Sequence, residues 1–179
     1  MNKYEELADA SRVWVFQSDR EFTENEQQEL NAELTNFVNN WLSHGSLLKA
    51  YFKIMHNRFI IFIADEDGDR MCGRAVDASV RFVKELEARY SISLLDRNRM
   101  AYIDQAGKVH GCMLSELSRL SEEGKIKQET KVFNNLVQNK IEFENAFLVP
   151  LSESWQHRFA GAKNISPLHR GIKQKNHLD

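Results

Sequence analysis

The sequence predicts an α+β domain built on a ferredoxin-like core. Three observations carry this. Segments with strand and helix signatures succeed one another as β-α-β-β-α-β, the order of the split βαβ pattern. The first helix is marked by a capping box, and the paired strands are joined by turn residues. The two strands expected at the centre of the sheet, VWVF and FIIFI, are apolar on both sides.

RVWVFQ (12–17) is rich in β-branched and aromatic residues and predicts a buried strand. In the stretch that follows, Thr23 and Glu26 form a Thr-x-x-Glu capping box. Leu30, Leu34, Phe37, Val38, Trp41 and Leu42 then fall on one helical face, with Gly45 as a natural stop. LLKAYFKIM (47–55) and RFIIFIA (58–64) predict an antiparallel pair, because Asn57 in the His56-Asn57 connection tolerates the left-handed backbone of a tight turn.

DEDGDRMCG (65–73) predicts a loop, and AVDASVRFVKELEARY a second helix. Val76, Val80, Val83, Leu86 or Glu87, and Tyr90 trace its inner stripe. RMAYID (99–104), an AGK turn and VHGCM (109–113) predict a further hairpin, and SELSRLSEEG (115–124) a short helix ending at Gly124.

This succession implies an antiparallel sheet of strand order 4-1-3-2 with both helices on one face. A sheet covered on one face only should alternate apolar and polar residues, and these central strands do not. Something must lie over the other face. The candidates are the C-terminal segment 130–159 or a second copy of the chain in a homodimer. Residues 1–160 are expected to form a single α+β domain, and 161–179, polar and basic without apolar periodicity, a mobile tail.

The chain has 179 residues, 42% of them hydrophobic and 28% charged, with a net charge of -2. That length buries a core without disulfide or metal staples, and the charge draws the molecule to neither nucleic acid nor anionic membrane. Its 2 cysteines, Cys72 and Cys112, lack C-x-x-C spacing, so no zinc site or disulfide framework is implied and a reduced, cytoplasmic setting is expected. MNKYEELADASR lacks the apolar stretch of a signal peptide, and the longest apolar run, Phe59–Ala64, is too short to span a bilayer.

SRVWVFQSDREFT (11–23), RFIIF (58–62), VDASV (76–80), VFNNL (132–136) and ESWQHRF (153–159) together resemble a family of small uncharacterised bacterial proteins that often carry the label "ABC transporter ATPase". The resemblance spans nearly all of residues 11–159. It implies no established reaction. The residues themselves do not support ATPase activity: a P-loop needs G-x-x-x-x-G-K-[ST], and both Gly107-Lys108-Val109 and Gly124-Lys125-Ile126 lack the hydroxyl and the preceding glycine. The family pattern resembles Gly-Cys-Ser-Ile-Asp where this chain has Gly73-Arg74-Ala75-Val76-Asp77, so the family cysteine is replaced by Arg74 and Cys72 lies one residue before the motif.

Cys72 would begin a helix, where amide dipoles favour the thiolate. No histidine lies near it in sequence to serve as a base, so a turn or packing role is the favoured assignment. The acidic run Asp65, Glu66, Asp67, Asp69 is not an EF-hand: counting from Asp65, position six is Arg70 and position twelve Val76, where glycine and glutamate are required. His44, His56, His110, His157, His169 and His177 form no ligand pair on a helix face, so no metal is expected.

Asn134, Asn135, Trp155, His157 and Arg158 are the more suggestive polar and aromatic groups. Arg158 can fork onto a carboxylate or phosphate beside the Trp155 ring. Equally, Trp155 and Phe159, one helical turn apart, can staple the C-terminus to the sheet, which the apolar face favours. Ser18, Arg20 and Asp77 lie at element ends and divide the same way.

With no complete catalytic constellation and no cofactor motif, the expected function is a non-enzymatic module that binds a small ligand or a partner. The alternative is a small enzyme whose site joins the 65–79 loop to the SWQHRF segment, where Cys72, Asp77, His157 and Arg158 would converge.

Overall fold

A computed structural model describes residues 2–66 and 71–161. It is a mixed α and β structure whose strands pair antiparallel. β1 (Arg12–Gln17) pairs with β5 (Phe59–Asp65), which pairs in turn with β4 (Lys49–Met55), giving a three-stranded sheet of order β1-β5-β4. β4 and β5 are joined through His56 and Asn57, both at positive φ (52° and 51°), the backbone that a two-residue turn requires.

Successive side chains of a strand point to opposite faces, and here both faces are apolar. Ile60, Phe62 and Ala64 of β5 enter one hydrophobic cluster, while Phe59, Ile61 and Ile63 enter another, each fully buried. The first cluster is closed by α1 (Glu24–Asn39) and α2 (Gly73–Tyr90) through Leu30, Leu34, Val38, Val83, Leu86 and Tyr90. The second is closed by the chain's own last third, through Phe133, Val137, Phe143 and Phe147. A second copy of the chain is therefore not needed to cover this face.

That cover includes a second, four-stranded sheet of order β7-β6-β8-β9, made of β6 (Arg99–Ile103), β7 (Val109–Met113), β8 (Lys131–Phe133) and β9 (Leu148–Pro150). Ala101 and Phe133 face the first sheet, with α4 (Lys140–Ala146) beside them. Met100, Tyr102 and Val132 face the other way, into a third cluster with Leu117 and Leu120 of α3 (Leu117–Glu122) and with Phe159 of α5 (His157–Ala160). The layers run helix, sheet, sheet, helix.

The ferredoxin-like order is met by β1, β5 and β4 but not by the fourth strand expected at 99–104, which forms the second sheet instead of flanking β1. The β1 edge is taken by the segment leading into α4: the Val13 N–H donates to Gln138 O (2.9 Å), and Arg12 bridges Asn139.

α1 starts at its capping box, with the Glu26 N–H donating to Thr23 Oγ1 (3.2 Å) and the Thr23 N–H to Glu26 Oε2 (2.8 Å). It ends at Asn39, short of the expected stop at Gly45. The Asn40 side chain folds back onto Asn36 O (2.8 Å) and ends the helix. This frees Trp41 to turn inward and donate its indole N–H to Ala75 O of α2 (2.9 Å). His44 (φ 51°) and Gly45 (φ 83°) instead make the turn between two short strands, β2 (Leu42–Ser43) and β3 (Ser46–Leu47). In α2 the deepest positions are Ala75, Ser79, Val83, Leu86 and Tyr90, with Val76 and Val80 half-buried at the side, because small residues let this helix approach the sheet closely.

Glu26 also takes a bidentate pair from Arg20 (2.8 and 2.7 Å), and Arg20 reaches Tyr90 O (2.8 Å), so one guanidinium joins the start of α1 to the end of α2. The Arg20 contact is the chief reason that the Glu26 carboxyl is lowered to about 2. A carboxyl lowered on folding stabilises above its unfolded pKa, and that contribution fades as pH falls through the folded value. Glu26→Ala is thus expected to cost about 1–2 kcal/mol at pH 7, allowing for partial exposure of the pair, and much less near pH 2. Urea titrations at the two pH values check this.

No helix among the described residues is long and apolar enough to cross a membrane. Asp67, Asp69 and Arg70 of the acidic loop, and the tail from residue 162, lie outside the described residues.

Candidate functional site

The residues singled out in sequence do not share one place. Cys72 is the N-cap of α2 and packs against the first cluster, on the helical side of the three-stranded sheet. Its backbone N–H donates to Ser43 Oγ (3.0 Å). The thiol is lowered to about 7 because the thiolate accepts from the backbone N–H of His44, then from the Ser43 hydroxyl and the Ala75 N–H. Asp77 is exposed on the first turns of the same helix.

Trp155 lies on the far side of the molecule, in the third cluster, edge-on to Phe159 at 6.0 Å. His157 and Arg158 are exposed there, with the Arg158 guanidinium over the Phe159 ring (4.9 Å) and the Trp155 ring (5.5 Å). Both sheets stand between Cys72 and this group, so among the described residues Cys72 and Asp77 are not brought together with His157 and Arg158. Sequence proximity to element ends was shared by these residues, but the second sheet intervenes.

Asn134 and Asn135 act as structural ties between layers. Asn134 Oδ1 accepts the Leu136 N–H (3.1 Å), an Asx turn, and its own N–H donates to Phe147 O (2.7 Å). Asn135 Nδ2 donates to Gln17 Oε1 (2.7 Å) at the end of β1, and Gln156 Nε2 to Phe133 O (2.8 Å). The SWQHRF segment is thus fastened to β8 through Gln156, a fully buried residue between the half-buried Trp155 and the exposed His157.

The arrangement with the most chemical capacity lies elsewhere, around the β6–β7 turn. Asp104 shapes that turn: Oδ1 accepts the Ala106 and Lys108 N–H groups (both 2.9 Å), and Gly107 at φ 80° lets the chain reverse. Its Oδ2 lies 2.7 Å from His110 Nε2. That contact is the first cause of a lowered Asp104 carboxyl, followed by the Lys108 N–H. Because β6 and β7 pair Tyr102 with His110, the two rings stack, with centroids 5.4 Å apart and planes at 25°. Tyr102 is buried beneath, and the His110 side chain retains 38% exposure above it. Two residues on, Cys112 is half-buried, and its thiol is pushed up to about 12 by desolvation.

Two cavities flank this turn and share Asp104, Gln105 and Lys125 as a common wall. One, of about 220 Å³, is lined by Lys125, Lys127, Glu129, Thr130 and Lys131. The other, of about 600 Å³, opens beside Tyr102 and His110. The lysine wall is held by its backbone. Ile126, 1% exposed, roots it in the third cluster; Lys125 and Ile126 donate to Leu120 O, and a tight turn runs from Lys127 to Thr130. Leu151 and Ser152 then fasten this turn by donating to Thr130 O and Gln128 O (2.8 and 3.0 Å).

Lys125 is paired with Glu123 (2.8 Å), whereas among the described residues Lys127 and Lys131 have no carboxylate partner. The hairpin was legible in the sequence, and its register alone would have set Tyr102 beside His110. The lysines come from a separate connection, and nothing in sequence brings them to the hairpin.

Among the described residues no group of three or more His, Cys, Asp or Glu side chains is placed to hold a metal ion. The chain matches no protein-family model, no curated protein and no solved structure.

Proposed function

We propose that the protein is a non-enzymatic binding module whose ligand is small and negatively charged, held in the cavity walled by Lys125, Lys127 and Lys131. The observation that carries this is the pair of ammonium groups, Lys127 and Lys131, set without an ion-paired carboxylate among the described residues on a backbone frame fixed by hydrogen bonds. Lysine is a strongly hydrated point charge that serves anion capture, and a concave wall concentrates its field. The lining sets the three lysines beside two carboxylates, Asp104 and Glu129, the apolar Ile103 and the Thr130 hydroxyl, the mixed composition of a ligand site.

Calorimetric titration with inorganic pyrophosphate tests it. The double variant Lys127→Ala/Lys131→Ala is expected to bind at least tenfold more weakly while unfolding at an unchanged temperature, since both side chains are exposed. Equal affinity in the two proteins, or no binding to either at millimolar ligand, contradicts it.

The Asp104–His110 pair favours a second reading, a small enzyme. A carboxylate that orients an imidazole is the supporting half of a general base, and here it borders the wider cavity. No hydroxyl or thiol nucleophile among the described residues is hydrogen-bonded to that imidazole, so binding is the better-supported function.

A further inference from the structure

Resting on that reading, we propose that the ligand has two parts: a flat ring laid on His110 in the wider cavity, and a phosphate that crosses the shared wall to the lysine cavity. A nucleoside monophosphate has this form. The cavities adjoin through Asp104, Gln105 and Lys125, so a single molecule can occupy both. In the wider one the imidazole is fixed on both sides, from below by the stacked Tyr102 ring and at its edge by Asp104. A ring held in one plane with its side chain still 38% exposed is a ready stacking platform for another aromatic ring.

In the narrower cavity, two ammonium groups without an ion-paired carboxylate among the described residues match a dianionic phosphate better than a single carboxylate. Asp104 and the exposed Glu129 both line that cavity and oppose an anion, against the three lysines. Both Asp104 oxygens are already engaged, by two backbone N–H groups and by His110, which draws its charge toward the hairpin rather than into the cavity. The Gln105 side chain, on the wall common to both, supplies an uncharged donor and acceptor at the crossing point.

The test is calorimetric titration of the full chain with inorganic phosphate, with adenosine and uridine, and with their 5′-monophosphates. At least one monophosphate is expected to bind tenfold or more tightly than inorganic phosphate. In His110→Ala that advantage, taken against phosphate binding to the same variant, should shrink below threefold. His110→Phe, which keeps a flat ring but not the bond to Asp104, should retain most of it. Monophosphates no tighter than phosphate, or an advantage that survives in His110→Ala, or one that is lost in His110→Phe, overturns the two-part ligand and leaves the charged cavity standing. Failure of phosphate and both monophosphates to bind overturns the two together.

Discussion

Replacing Phe133 by alanine is expected to destabilise the protein by about 3–5 kcal/mol, the cost of deleting a large ring from a site that cannot collapse. Phe133 is fully buried, and its ring lies 4.7 Å from Phe59 of the first sheet, 5.3 Å from Phe147 and 5.1 Å from His56. It is the point at which the second sheet is pressed against the first. For a chain of this length such a loss corresponds to a fall in Tm on the order of 10 °C. Leu136→Ala, three residues away but 57% exposed, should change stability by less than about 0.5 kcal/mol. Urea unfolding of the two variants checks the contrast, and a Phe133→Ala cost near that of Leu136→Ala contradicts the packing described.

The two thiols should differ in reactivity by more than about a thousandfold. Cys72 titrates at about 7, lowered first by the His44 N–H and then by the Ser43 hydroxyl, and it is only half-buried. Cys112 is pushed to about 12 by burial, with Glu116 adding to the effect. Only the thiolate alkylates, so at pH 7.5 most of Cys72 is reactive and almost none of Cys112. Iodoacetamide followed by peptide mass spectrometry should show Cys72 modified in the native protein and Cys112 only on unfolding. Labelling of Cys72 should rise between pH 6 and 8 and then level off. Comparable native rates at both cysteines would contradict these environments. Rapid labelling alone assigns no catalysis, because His157 and Arg158 sit on the far side of both sheets.

Local signals in the sequence translated directly into structure. Thr23 and Glu26 cap α1, His56-Asn57 turns the hairpin, and the double-faced apolarity of FIIFI marks a strand buried on both sides. Each depends on neighbours within a few residues. Where the sequence misled, the deciding contact was distant. Trp41 has the spacing of a helical residue, but the indole bond to Ala75, 34 positions on, draws it out of the helix. The 99–104 strand has the signature of any antiparallel strand, and nothing local says which sheet it joins. That is settled by Gln138 and Asn139, which occupy the β1 edge.

The same distinction governs the candidate site. Asp104, Tyr102 and His110 belong to one hairpin and are brought together by register, so the pattern was available within RMAYID and VHGCM. Lys127 and Lys131 reach the turn only because Ile126 is buried in the third cluster and the Lys127–Thr130 turn is tied to residues 151 and 152. Sequence spacing instead drew attention to Trp155, His157 and Arg158. Of these, Trp155 covers apolar surface with Phe159, and the residue that holds the segment in place is the unremarked Gln156.

Hydrogen exchange at the amides of Phe59–Asp65 tests most directly whether the chain seals its own central sheet. With both faces covered from within, these amides should exchange only through global unfolding and report the full stability of the protein, and Phe133→Ala should speed them by the same factor by which it shifts the urea-derived equilibrium. Exchange within minutes at neutral pH in the unaltered protein, or protection that collapses on dilution as a second copy dissociates, would contradict that seal.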